Sequence, residues 1–116
     1  MNLYHCFIDL TEGANALSFA KAVEHWMEHL KEEQVIRSWR LMRRKLNLAS
    51  GTQRDFLLEI ELEDLAQLDR AFNLVGKRSD EVDRLYSQLR PMIAMADYGL
   101  YRPFPDPERA ERVGLI

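Results

Sequence analysis

Few residues of this chain have chemistry beyond packing: three histidines, one cysteine, four tyrosines, two tryptophans and a run of arginines. His25 and His29 flank Trp26-Met27-Glu28, the i,i+4 spacing at which two imidazoles on a helix can share a metal, and Glu28, Glu32 and Glu33 lie close in sequence. The helical phase argues against a metal site. With an apolar stripe centred on Val23, Met27 and Leu30, His25 projects away from it and His29 toward its flank, so solvated histidines and no metal are expected. His5 is the one histidine in a strand-like run, where Glu59, Glu61 or Asp97 could make it an acid/base group; a hydrogen-bonded interface histidine is the plainer reading. Tyr4, Trp39, Tyr86 and Tyr98 join an apolar ring to a polar tip and could line a pocket between sheet and helices suited to a small aromatic or lipid-like ligand, although ordinary core aromatics would read the same. Cys6 stands alone in an apolar run, which excludes an internal disulfide and suggests an inert buried thiol. No Gly-rich phosphate loop, Cys-x-x-Cys pair or dinucleotide fingerprint is present, and Gly76 in Val75-Gly76-Lys77 stands by itself.

These residues are carried by a simple order of hydrophobic periods: strand, helix, strand, strand, helix, strand between Met1 and Tyr101. Tyr4, Cys6, Ile8 and Leu10 alternate with Leu3, His5, Phe7 and Asp9, so the first strand has an apolar side for the helices and a mixed side opposite. After Gly13, Asn15 is placed to cap a helix whose stripe is Ala16, Phe19, Ala20, Val23, Trp26, Met27 and Leu30. Val35 to Leu46 is rich in strand formers but carries Arg37, Arg40, Arg43, Arg44 and Lys45, the pattern of a guarded edge strand. Asn47 to Arg54, with Ser50-Gly51-Thr52, is its turn, and Phe56, Leu58, Ile60 and Leu62 then alternate with Asp55, Leu57, Glu59 and Glu61. The second helical region divides at Gly76, read as a C′ residue: Leu65, Leu68, Phe72 and Val75 form the stripe before it, and Val82, Leu85, Tyr86 and Leu89 the stripe after a Ser79 cap. Pro91 helps to end that helix, and Ile93 to Tyr101 is the last strand, with Ala94 and Ala96 small enough for a helix to approach.

Connectivity of this kind has two right-handed crossovers, which give the strand order four, one, three, two with both helices on one face. The other face is left bare. A hairpin symmetric about Ser50-Gly51 sets Arg40 opposite Glu61 and Met42 opposite Glu59, with Trp39 and Leu41 on the helix side and His5, Phe7 and Asp97 on the bare side. Surface ion pairs alone could explain the charges there. Phe7, Met42 and Leu57 among Arg40, Glu59 and Glu61 argue instead that a partner buries this face, and a second copy of the chain is the readiest one.

With 116 residues, the chain is expected to form one domain over 1–101 and a Pro-rich tail over 102–116, where Asp106 and Pro107 could open a short helix. A net charge of -3 argues against nucleic acid, as does an acidic third strand where an RNA-binding sheet would carry stacking aromatics. No export signal or membrane-length apolar stretch is evident, so a cytoplasmic protein without a membrane partner is expected.

On its element order, length and mixed open face, the chain resembles the dimeric α+β barrel superfamily of ferredoxin-like proteins over Asn2 to about Tyr101. That superfamily includes antibiotic-biosynthesis monooxygenase-like and stress-responsive barrel domains, and the chain looks closest to small bacterial members of unknown function. The resemblance implies an α+β, ferredoxin-like βαββαβ fold, with a four-stranded antiparallel sheet and helices on one face, pairing as a dimeric α+β barrel. It also implies ligand pockets between sheet and helices, sometimes with cofactor-free oxygenase or isomerase activity, and it transfers no catalytic residue. The expectation is a homodimer without a cofactor, its ligand pocket formed by Trp39, Tyr98, Tyr4 and Tyr86, and its dimer face formed by Phe7, Arg40, Met42, Leu57, Glu59 and Glu61. His5 and Asp97 are the candidate proton-transfer pair. The competing expectation is a non-catalytic assembly or regulatory module that binds protein through the sheet face and tail.

Overall fold

Alternation decides how the first strand lies: Cys6 and Ile8 in β1 (Asn2–Leu10) are buried, and His5, Phe7 and Asp9 take the opposite side, half-buried. The computed structural model describes residues 1–45, 54–77 and 79–105. After β1 come α1 (Ala16–Glu32), β2 (Ser38–Arg43), β3 (Phe56–Leu62), α2 (Leu65–Gly76), α3 (Asp80–Leu89), a 3-10 turn at Arg90–Met92, and β4 (Ile93–Tyr101). The sheet is antiparallel in the order β2-β3-β1-β4, as the crossover rule requires, so β2 with its arginines is an edge strand. The turn at Ser50-Gly51 and the tail helix at Asp106 and Pro107 lie outside the described residues.

Each helix begins on a side-chain cap. Asn15 accepts from the Ser18 backbone N–H at 3.0 Å, Asp64 from that of Gln67 at 2.8 Å, and Ser79 from that of Val82 at 3.2 Å. Asp80, Glu81 and Asp83 complement the positive end of α3. α1 closes with the Val35 N–H donating to the Leu30 carbonyl at 3.1 Å and the Gln34 N–H to that of Lys31 at 3.0 Å, a Schellman arrangement in which Leu30 and Val35 are both buried. It places Gln34 at φ 61°, where a non-glycine residue is strained by about 1 kcal/mol. Gly76 takes no such role. It is the last residue of α2 and lacks a positive φ, and the chain continues through Lys77 in right-handed helical conformation, so the expected C′ glycine is corrected.

Phe19, Val23 and Leu62 are the most deeply buried side chains, and the Phe19 and Phe56 rings meet at 5.1 Å between the sheet and α1. The hairpin register differs from the symmetric expectation: Arg40 faces Glu59, Met42 faces Leu57, and Glu61 faces Ser38. This slip of two residues leaves every side chain on its expected face, so hydrophobic alternation could not distinguish the two registers. At the other edge the β1–β4 pairing shifts at Asp9/Leu10, with Asp9 opposite Met95 and Leu10 opposite Ile93. Ala94 is the extra residue of that bulge and is exposed, whereas Ala96 packs on the core as expected.

Candidate functional site

On the helix side of the sheet, α2 stands off from its neighbours. Only Gln67 and Ala71 are buried along it, while Leu65 and Phe72 of its apolar stripe are 49% and 57% exposed. At its first turn, buried Gln67 accepts from the Glu63 N–H at 2.7 Å and donates to the Gln34 carbonyl at 3.2 Å. These bonds tie α2 to the connection after α1 by polar contacts; Leu68 and Val75 of its stripe pack partly against the core and, with Phe72, border a space. That space is a cavity of about 330 Å³. Tyr4, Cys6 and Leu58 are part of its floor, Trp26 and Met27 of its α1 wall, and Phe72 of its α2 wall.

Three of the four aromatic residues expected at a pocket meet there. Tyr4, Tyr86 and Tyr98 line the cavity; Tyr4 lies 6.0 Å from Tyr98 and 6.2 Å, edge-on, from Phe72, and Tyr86 lies 6.0 Å from Trp26. Trp39 is elsewhere. Its indole Nε1 donates to Glu28 Oε1 at 2.9 Å, and it borders a separate polar recess of about 250 Å³ with Ser38, Arg40, Glu59 and Glu61. An edge position on β2 lets the ring reach α1 instead of the interior. Burial pushes the Cys6 thiol up to about 12 and raises the Tyr4 phenol, which the neighbouring Cys6 and Tyr98 raise further, so both groups hold their protons at neutral pH. Arg90, which sequence reasoning had not singled out, is the one charged side chain among the described lining residues.

The opposite face carries two adjoining rows of different character. One reads Arg40, Glu59, His5 and Gly99 across the four strands; the next reads Met42, Leu57, Phe7 and Asp97. His5 Nε2 and Glu59 Oε2 are hydrogen-bonded at 3.0 Å, and Arg40 Nε donates to Glu59 Oε1 at 2.8 Å. Partial burial would raise the Glu59 carboxyl, but the bonds from His5 and Arg40 outweigh it and hold the group below its ordinary value. The pairing of His5 with Asp97 is corrected: Asp97 accepts from Arg54 Nε at 2.9 Å, and Arg54 also reaches Asp9 at 3.0 Å. Asp9 is lowered chiefly by the Asp55 backbone N–H, against partial burial and with help from Arg54 and Arg44. Tyr101 lies over Gly99 with its ring tilted 40° to that of His5 at 5.0 Å between centroids; a Cβ at Gly99 would fall 2.9 Å from the Tyr101 ring. A glycine two residues before an aromatic on a strand was the available signal for this cover.

His25 is exposed and His29 half-buried, its ring 6.4 Å from that of Trp26. Among the described residues no group of three or more His, Cys, Asp or Glu side chains is placed to hold a metal, and no helix is long and apolar enough to cross a membrane.

Residues 1–116 match the sequence profile of a family described as "Family of unknown function (DUF6614)". No curated protein matches the chain. Protein At3g17210 of Arabidopsis thaliana shares its fold at a TM-score of 0.68 with 8% identity, over 89% of this chain and 95% of that one. A dimeric ferredoxin-like protein of unknown function from Thermobifida fusca aligns at 0.58 with 14% identity, over 87% and 90% of the two chains. A dabb family protein with a ferredoxin-like fold from Mesorhizobium loti aligns at 0.62 with 14% identity, over 88% and 95%. Identities this low carry the fold, which is ferredoxin-like α+β.

Proposed function

We propose, from the premise that this chain belongs to the DUF6614 family, that it is a homodimer whose protomers each bind a small apolar or aromatic molecule between the sheet and α2. The observation that carries this reading is the cavity of about 330 Å³, which falls within the size range of small-molecule sites and has a largely apolar lining with phenol tips. The space opens to solvent beside the exposed Phe72 and Tyr98, so an apolar molecule bound in it covers apolar lining that water otherwise meets.

Binding is supported over cofactor-independent oxygenase- or isomerase-like chemistry. Such chemistry needs a base near the bound compound, and the described lining supplies no carboxylate or imidazole, while Tyr4 and Cys6 hold their protons. His5 and Asp97 lie across the sheet. The homodimer is supported by the apolar row Met42, Leu57 and Phe7 among charges on a face that no other described element covers, and by the dimeric Thermobifida fusca protein of the same fold. The competing role, a non-catalytic module that binds a different protein through this face, requires no ligand in the cavity.

A Trp39→Phe variant isolates Trp26, which lines the cavity, as the only indole. Titrating it with 1-octanol is expected to give a saturable change in Trp26 fluorescence, weakened about tenfold or more by Ala71→Leu, which places a larger side chain in the cavity. Absence of a saturable change would refute the ligand reading.

A further inference from the structure

Within an otherwise apolar lining, Arg90 is the only charged side chain among the described residues, and it is exposed, which places it at the solvent-facing rim. Its Nη1 donates to the Ile93 carbonyl at 3.0 Å, and it has no carboxylate partner among the described residues. Other arginines on or beside the sheet behave differently: Arg37, Arg40 and Arg54 each meet an acid. The position of Arg90 at the C-terminal end of α3 favours a cation there and accounts for its placement. It does not occupy the rest of the guanidinium fork, whose five N–H donors fit a planar oxyanion at two points.

We propose that the molecule bound in this cavity is an apolar monocarboxylate, with its body over the floor at Tyr4, Cys6 and Leu58 and its carboxylate on Arg90. The inference rests on the ligand-binding reading above and adds the chemical class. One cation with no lysine or second arginine in the lining suits a single negative charge better than a phosphate dianion, which draws on several donors at once. The remainder of the lining, predominantly hydrocarbon and aromatic ring, suits an apolar body. Carboxylate at the rim and apolar body inside also leave the charge partly in water, so neither group is desolvated without a partner.

The test compares sodium octanoate with 1-octanol at neutral pH in the Trp39→Phe background, in the full chain, with Trp26 fluorescence as readout. Octanoate is expected to bind about tenfold or more tightly than octanol, as for a charge-assisted hydrogen bond. The octanoate-to-octanol affinity ratio should fall about tenfold in Arg90→Gln and be retained in part by Arg90→Lys, which keeps the charge without the fork. Saturable binding of octanol with no preference for octanoate, or a preference unchanged in Arg90→Gln, overturns the carboxylate assignment and leaves the cavity reading standing. Binding of neither compound overturns both.

Discussion

Glu59 is the residue at which the polar bonds of the open face converge, taking His5 on one oxygen and Arg40 on the other. Asp9 has a similar position at the far end of β1, held by the Asp55 backbone N–H and Arg54. Both carboxyls are lowered, so each binds its proton less readily in the folded chain than in the unfolded one. Their stabilisation is complete above the ordinary values of 4.5 and 3.8 and is lost as pH falls through the lower folded values. The urea midpoint is therefore expected to fall between about pH 6 and about pH 3, and the double variant Asp9→Asn, Glu59→Gln should flatten that dependence. An undiminished slope would show that these two groups do not govern it. The sequence named Glu59 among three possible partners for His5; which one it takes depends on the β1–β3 register.

Among the elements, α2 is the one whose sequence and environment disagree. Leu65, Leu68, Phe72 and Val75 make a plausible core stripe, yet the helix is held at its N-terminal end by Asp64 and Gln67 and buries little beyond Ala71. Asp64-x-x-Gln67 is a capping-box spacing, so the anchoring was legible in the residues; the gap behind it was not. Asp64→Ala is expected to cost about 1 kcal/mol. Hydrogen exchange should accelerate in α2 amides and stay unchanged in α1, which is packed along its length by Phe19, Val23, Trp26 and Leu30. Equal acceleration in both helices would mean that α2 is not the separately anchored element that its contacts describe.

As a whole the molecule measures only 18 Å along its shortest axis, the depth of one sheet and one helical layer. Among the described residues the face opposite the helices therefore has no second layer, and the proposed twin supplies one. Sedimentation velocity at micromolar concentration should show a dimer for the native chain. Leu57→Glu, central in the apolar row, should weaken it about 30-fold or more with far-UV circular dichroism preserved. A native chain that sediments as a monomer across that range would refute the dimer.

Periodicity alone determined the order of elements, the caps at Asn15 and Ser79, the strand order and the face taken by nearly every strand residue, because those depend on local alternation and on the handedness of crossovers. Tertiary structure decided the rest: the two-residue register of Arg40 with Glu59, the bulge that turned Ala94 outward, the placement of Trp39 on Glu28, and Arg54 between Asp9 and Asp97. A slip of two leaves the faces unchanged, and contacts between residues far apart in the chain follow from how elements seat on one another. Thus three tyrosines singled out in the sequence line one space with Arg90 only through the way α2 and α3 seat over the sheet, which local alternation does not specify.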